Sequence, residues 1–225
     1  MSNTEITIFE PRQGRPAAAP AGRGQEVANA ATHGLSALLA VAATTILVGT
    51  AIRQATVWHV VSVSLFGASA VFLYLMSTLY HALPASRLKR VFKLLDHSAI
   101  YVLIAGTYTP FCLTVLRPTV GWWLFGLIWG IALAGLVSKP FLVGKLRFVS
   151  TLVYVVMGWI IVLAWKPLSA AAAPETLRAL VAGGVLYTVG AGFYLIKNAA
   201  WSHPVWHCFV TAGTALHFLA TLSLL

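Results

Sequence analysis

Seven apolar runs, each close to the length of a bilayer-spanning helix, occupy most of this chain. They lie at about 33–52, 57–81, 95–116, 119–138, 148–166, 177–196 and 203–224. A spanning helix takes about 20 residues. A lipid-exposed sheet edge would leave backbone groups unpaired in hydrocarbon, so runs of this length are read as helices. Hydrophobic residues make up 59% of the chain and charged residues 9%, against about 25% charged in a soluble domain. Such a chain cannot cover itself with a polar surface. Small residues recur inside the runs, as at Gly67–Ala68–Ser69–Ala70, Gly183–Gly184 and Gly190–Ala191–Gly192, where they suit close helix contact in lipid. The expected fold class is therefore an all-α membrane protein, a seven-transmembrane helix bundle at residues 25–225. Residues 1–24 are rich in Pro, Gly and Ala and are expected to form a disordered cytoplasmic tail. They do not resemble a cleaved signal peptide, because the first apolar run begins only past residue 32.

The net charge of +10 arises in the membrane part. After Glu26 the chain holds twelve bases against Asp96 and Glu175 alone. In a soluble protein this balance would suggest nucleic acid. Here the bases lie between apolar runs, where they orient helices, so membrane lipids and no nucleic acid are the expected partners. One side would carry eleven Lys/Arg: Arg12, Arg15 and Arg23 in the tail, Arg87, Lys89, Arg90 and Lys93 in the second loop, Lys139, Lys145 and Arg147 in the fourth, and Lys197 in the sixth. The other side would carry Arg53, Arg117, Lys166 and Arg178. The imbalance places the N-terminus in the cytoplasm and the C-terminus outside. The second loop also reads as a short amphipathic helix at the headgroups or an extension of the third helix. Cys112 and Cys208 have no motif spacing and are read as small apolar packing residues.

An ionisable residue within a span is a functional candidate by default. Ser77 and His81 are four apart near the end of the second run, and His203 and His207 are four apart at the start of the seventh; each pair shares a helical face. Asp96 opens the third run. With the topology above, all these positions arrive at one depth near the cytoplasmic surface. Three histidines and a carboxylate at one depth suggest zinc, since three imidazoles leave a fourth position for water, and Asp96 would orient that water or take its proton. Ser77 would hydrogen-bond a ligand, the water or a substrate carbonyl. The competing reading has the histidines as interfacial residues and Asp96 paired with Arg90 or Lys93.

The remaining histidines are expected elsewhere. His59 would stand about 33 Å from His81 at helical rise, and His217 about 15 Å beyond His207. His59 is read as interfacial and His217 as packed on a polar neighbour. His97 is turned about 100° from Asp96, which leaves it a supporting role at most. His33 shares a face with Glu26 and Asn29; capping or interfacial packing is expected of it, and the rim of the site is within its reach. Pro204 fits a first helical turn, so the last helix should start at Ser202 or His203.

Three stretches resemble a known family. They are Ser77-Thr78-Leu79-Tyr80-His81, then Leu95-Asp96-His97-Ser98-Ala99-Ile100-Tyr101 running into Ala105-Gly106-Thr107-Tyr108-Thr109-Pro110, then Ser202-His203-Pro204-Val205-Trp206-His207. Together with Glu26, Asn29 and Thr32-His33-Gly34, they are similar to the bacterial hemolysin III family. That family groups with the progestin and adipoQ receptors and, more distantly, the alkaline ceramidases. The resemblance covers about residues 25–225. It implies a multi-pass protein of the bacterial inner membrane with a cytoplasmic N-terminus. It also implies zinc on His81, His203 and His207, with Asp96 and Ser77 as the family's aspartate and serine. The activity implied is zinc-dependent intramembrane hydrolysis of a lipid amide or ester, linked to membrane homeostasis. A receptor-like sensor with structural zinc is the first alternative and a cytolysin the second, although no segment here reads as an amphipathic pore-former.

Overall fold

The computed structural model describes residues 22–54, 56–142, 146–196, 199 and 201–225. The expected disordered tail lies outside them, apart from its last residues, and so do Lys145 and Lys197. Among the described residues the chain is helical throughout. The helices are α1 (Arg23–Gln54), α2 (Val57–Ala82), α3 (Arg87–Leu113), α4 (Gly121–Leu142), α5 (Arg147–Trp159), α6 (Trp165–Ala171), α7 (Pro174–Leu195) and α8 (Ser202–Leu222), with a 3₁₀ segment (Ile160–Ala164) joining α5 to α6. Six segments are long and apolar enough to cross a membrane, one of them the continuous stretch Arg147–Ala171.

α3 is the helix that fails this composition test, and its place in the bundle explains why. It packs against α2, α4, α5 and α8, and all but a few of its residues from Ser98 to Leu113 are buried. A helix surrounded by protein can carry Asp96 and His97, where a lipid-facing helix cannot. Its basic first turns extend the third helix back to Arg87, which decides between the two readings of the second loop. The Ser86 hydroxyl caps that start, accepting from the Lys89 backbone N–H at 3.1 Å.

Two apolar cores flank α3. Phe66, Leu73, Tyr74, Leu103 and Val210 belong to the core shared by α1, α2, α3 and α8. Tyr101, Tyr108, Phe111, Ile128 and Met157 belong to the one between α3, α4 and α5. Large apolar side chains that point outward, such as Leu38, Val137 and Leu163, suit a lipid surround. Small residues set the helix spacing as expected: a Cβ on Gly67 would lie 2.3 Å from the Thr44 side chain of α1, and one on Gly183 2.4 Å from the His217 ring of α8.

Two boundaries differ from expectation. α1 begins at Arg23, ten residues before the first apolar run, so Glu26, Asn29 and Thr32 form polar turns of the same helix. The fifth segment is broken. Between Trp159 and Ala164 the ladder tightens to 3₁₀, and the Tyr108 hydroxyl of α3 enters the break. It lies 2.9 Å from the Met157 carbonyl and 2.7 Å from that of Gly158, and it accepts from the Ile161 N–H at 2.8 Å. Backbone groups released in an apolar interior need such a partner.

Candidate metal centre

The end of α2, the start of α8 and the start of α1 meet at one end of the bundle. His81 comes from the last turn of α2. His203 and His207 come from the first turns of α8, which starts at Ser202 as expected, with Pro204 buried in its first turn. One ligand atom from each of His81, His203 and His207 lies within 4.8 Å of the other two. His81 and His207 are buried. His203 is half-buried.

The atoms fit a metal ion. His81 Nε2 and His203 Nε2 face each other at 3.2 Å. Two nitrogens bound tetrahedrally at zinc–nitrogen distances of 2.0–2.1 Å stand about 3.3 Å apart. His81 Nδ1 lies 2.6 Å from Glu26 Oε2, so that ring's proton belongs on Nδ1 and its Nε2 presents a lone pair. That lone pair can accept a proton carried on His203 Nε2 or share a cation with that nitrogen.

α1 supplies the surroundings. The Glu26 carboxylate receives His81 Nδ1 on one oxygen and Lys89 Nζ on the other at 3.1 Å. Lys89 also donates to the Leu83 carbonyl at 3.0 Å. Thr32 Oγ1 lies 3.0 Å from His207 Nδ1. One turn on, Ser36 meets Thr211 of α8 at 2.7 Å. His33 does not cap a helix end and is buried. It lies in the third turn of α1 and stacks on His207, with ring centroids 3.5 Å apart and planes 10° apart, while Tyr74 meets it edge-on.

Asp96 stands outside the converging trio, on the wall of the adjoining cavity. Its Oδ2 lies 3.2 Å from His97 Nδ1, a contact of the supporting kind expected of His97. Ser77 is fully buried one turn before His81, and its hydroxyl has no hydrogen-bond partner among the described residues. His59 caps α2, accepting from the Thr56 N–H at 3.4 Å. His217 lies edge-on to Tyr187 at 5.2 Å, the polar neighbour expected, and both its ring nitrogens are unpartnered among the described residues. Cys112 is buried as expected, whereas Cys208 is exposed on α8.

A cavity of about 100 Å³ opens from the histidines. Asp96, His203 and His207 line one end, and Trp159, Tyr187 and His217 lie on its far walls. A second space of about 40 Å³ shares Tyr108, Trp159 and His217 with it. The sequence reading missed this cavity, because its walls come from helices far apart in the chain.

Comparison with known proteins assigns the family. Residues 22–218 match the family described as Haemolysin-III related. The chain is 44% identical over 198 residues to "Hemolysin-3 homolog" of Bacillus subtilis (strain 168), covering 88% of this chain and 93% of that one. It is 44% identical over 198 residues to "Hemolysin-3" of Bacillus cereus, covering 88% and 90%. A more distant relative is the human "Monocyte to macrophage differentiation factor", 27% identical over 173 residues, with 72% of this chain and 70% of that one aligned; it supports the wider progestin and adipoQ receptor grouping. With matched residues that include every turn of the histidine site, this multi-pass integral membrane protein, in bacteria a protein of the cell membrane, belongs to the haemolysin III family.

Proposed function

We propose that the protein is a zinc-dependent intramembrane hydrolase of a lipid amide or ester. The observation that carries this reading is the convergence of three imidazoles, with Asp96 beside them, at the end of a largely apolar cavity. When bound, zinc would polarise a substrate carbonyl and acidify a water. The trio supplies nitrogen donors alone, which leaves a coordination position for that water. Because Asp96 lies outside the trio, its role is proton transfer. It takes the proton of the attacking water and returns it to the leaving amine or alcohol, so an amide yields a carboxylic acid and an amine. The buried Ser77 hydroxyl donates to the water or the carbonyl, which gives an otherwise unpartnered group its bond. The cavity takes the substrate's apolar chain and excludes water.

The reading includes the topology. α3 counts as a seventh span, the N-terminus faces the cytoplasm, the C-terminus lies outside, and the site lies near the cytoplasmic surface.

Metal analysis of purified protein, followed by lipid profiling with and without a chelator, tests the proposal. About one zinc per chain is expected for one three-histidine site. His81→Ala, His203→Ala and His207→Ala should each lose most of it, and His59→Ala should not. Equal zinc in wild type and triple variant sinks the site. Zinc with no chelator-sensitive turnover of any lipid moves the reading to a sensor with structural metal. Leakage from vesicles treated with the protein moves it to a cytolysin.

A further inference from the structure

α1 contributes no member of the converging trio, yet it touches the outward nitrogen of two of them. His81 Nδ1 meets Glu26 at 2.6 Å, and His207 Nδ1 meets Thr32 Oγ1 at 3.0 Å. The direction of each bond follows from the donor inventory. An ionised carboxylate only accepts, so His81 carries its proton on Nδ1. The Thr32 hydroxyl donates its own proton to the Asn29 carbonyl at 3.0 Å. It therefore faces His207 with a lone pair, and His207 also carries its proton on Nδ1. In both rings Nε2 is left deprotonated.

We propose that Glu26 and Thr32 are positioning residues that set the metal-binding tautomers of His81 and His207 before any metal arrives. A neutral imidazole has two tautomers, and only the one with its proton on Nδ1 offers Nε2 as a ligand. A partner on the outward nitrogen also fixes ring orientation and, if it is a carboxylate, raises ligand basicity. Lys89 holds the other oxygen of Glu26 and is itself tied to the Leu83 carbonyl, just past the end of α2. The start of α1 thus acts on the metal through two rings that it does not supply. This inference rests on the metal-binding half of the reading above and not on hydrolysis.

The experiment has two arms, both on the full chain in detergent. The first measures zinc affinity by competition with a chromophoric chelator and records the absorption spectrum with cobalt. Glu26→Leu and Thr32→Val should each weaken zinc by about 10–100-fold and alter the cobalt spectrum, while Thr32→Ser, which keeps the hydroxyl, should bind as wild type does. Wild-type affinity in both Glu26→Leu and Thr32→Val overturns the proposal. So does a Thr32→Ser variant that loses affinity as Thr32→Val does, since side-chain shape and not the hydroxyl would then matter. The second arm needs no metal. Nitrogen-15 resonances of labelled histidine in chelator-treated protein should give His81 and His207 as Nδ1–H tautomers, and Thr32→Val should mix the tautomers of His207. Nε2–H tautomers in the wild type overturn the proposal. If wild type binds no zinc, the metal reading fails while this arm still tests the tautomers.

Discussion

The His207 ring is held on two sides by α1, with Thr32 at Nδ1 and His33 stacked on its face. This explains how a residue of the first turns of α8 comes to be almost fully buried. Helical spacing, with the topology expected from Lys/Arg counts, brought His81, His203, His207 and Asp96 together in the sequence reading. The structure gathers the three histidines, with Asp96 on the adjoining cavity wall. The sequence did not tell which side chains touch laterally, since that depends on helix order around the bundle. For this reason the face shared by Glu26, Asn29 and His33 was legible, but its partners His81 and His207 were not. His97 keeps the supporting role expected of it: a 100° offset separates Cβ directions, yet two flexible side chains can still meet, and its ring reaches Asp96 at 3.2 Å. Asp96 carries the prediction that separates enzyme from structural site. Asp96→Asn should keep most of the zinc, since three histidines remain, and should lower hydrolysis on the order of 10²–10⁴-fold, as loss of a general base does. Comparing zinc content with turnover in that variant decides the matter, and loss of both together would make Asp96 a ligand instead.

Among the elements, α3 departs furthest from a simple hydropathy reading. Asp96, His97 and the Thr, Tyr and Pro residues that follow lower its hydropathy, so composition alone does not mark it as a span. The structure assigns the basic first turns to the helix and surrounds the remainder with protein. The broken fifth segment was not read from the sequence, because Trp159–Ala164 is itself an uninterrupted apolar run. Its irregularity depends on a hydroxyl from another helix. The orientation of the elements is open to direct measurement. In a Cys208→Ser background, Arg87→Cys should react with a membrane-impermeant thiol reagent only from the cytoplasmic side, and Arg117→Cys only from outside. The reverse pattern would invert the proposed bundle in the membrane and place the histidine site at the outer surface.

For the whole molecule, the histidine site joins the first two helices of the chain to its last. A ligand that binds only the folded state adds stability by mass action, about 2.7 kcal/mol at a hundred times its dissociation constant. Chelation should therefore lower the melting temperature in detergent, and added zinc should restore it. His203→Ala should melt at one temperature whether or not chelator is present; a chelator-sensitive melt in that variant would point to metal held elsewhere in the protein. The bundle's outer faces were the most legible part of the sequence, since lipid imposes one rule on every outward residue. Its interior was less so, because there the solvent is the rest of the protein.

The hydroxyl of Tyr108 stands in for rungs that the fifth segment's own ladder lacks. Protection of the Ile161 amide from hydrogen exchange is therefore set by a side chain more than fifty positions earlier in the chain. In Tyr108→Phe that amide should exchange faster, while amides in the regular turns of α7 keep their rates. An unchanged Ile161 rate would mean that the segment closes its own backbone bonds. If the amide does respond, deuterium uptake at one position of the fifth segment reports the docking of α3 against it. The break in the helix then serves as a built-in gauge of how tightly the two halves of the bundle are joined.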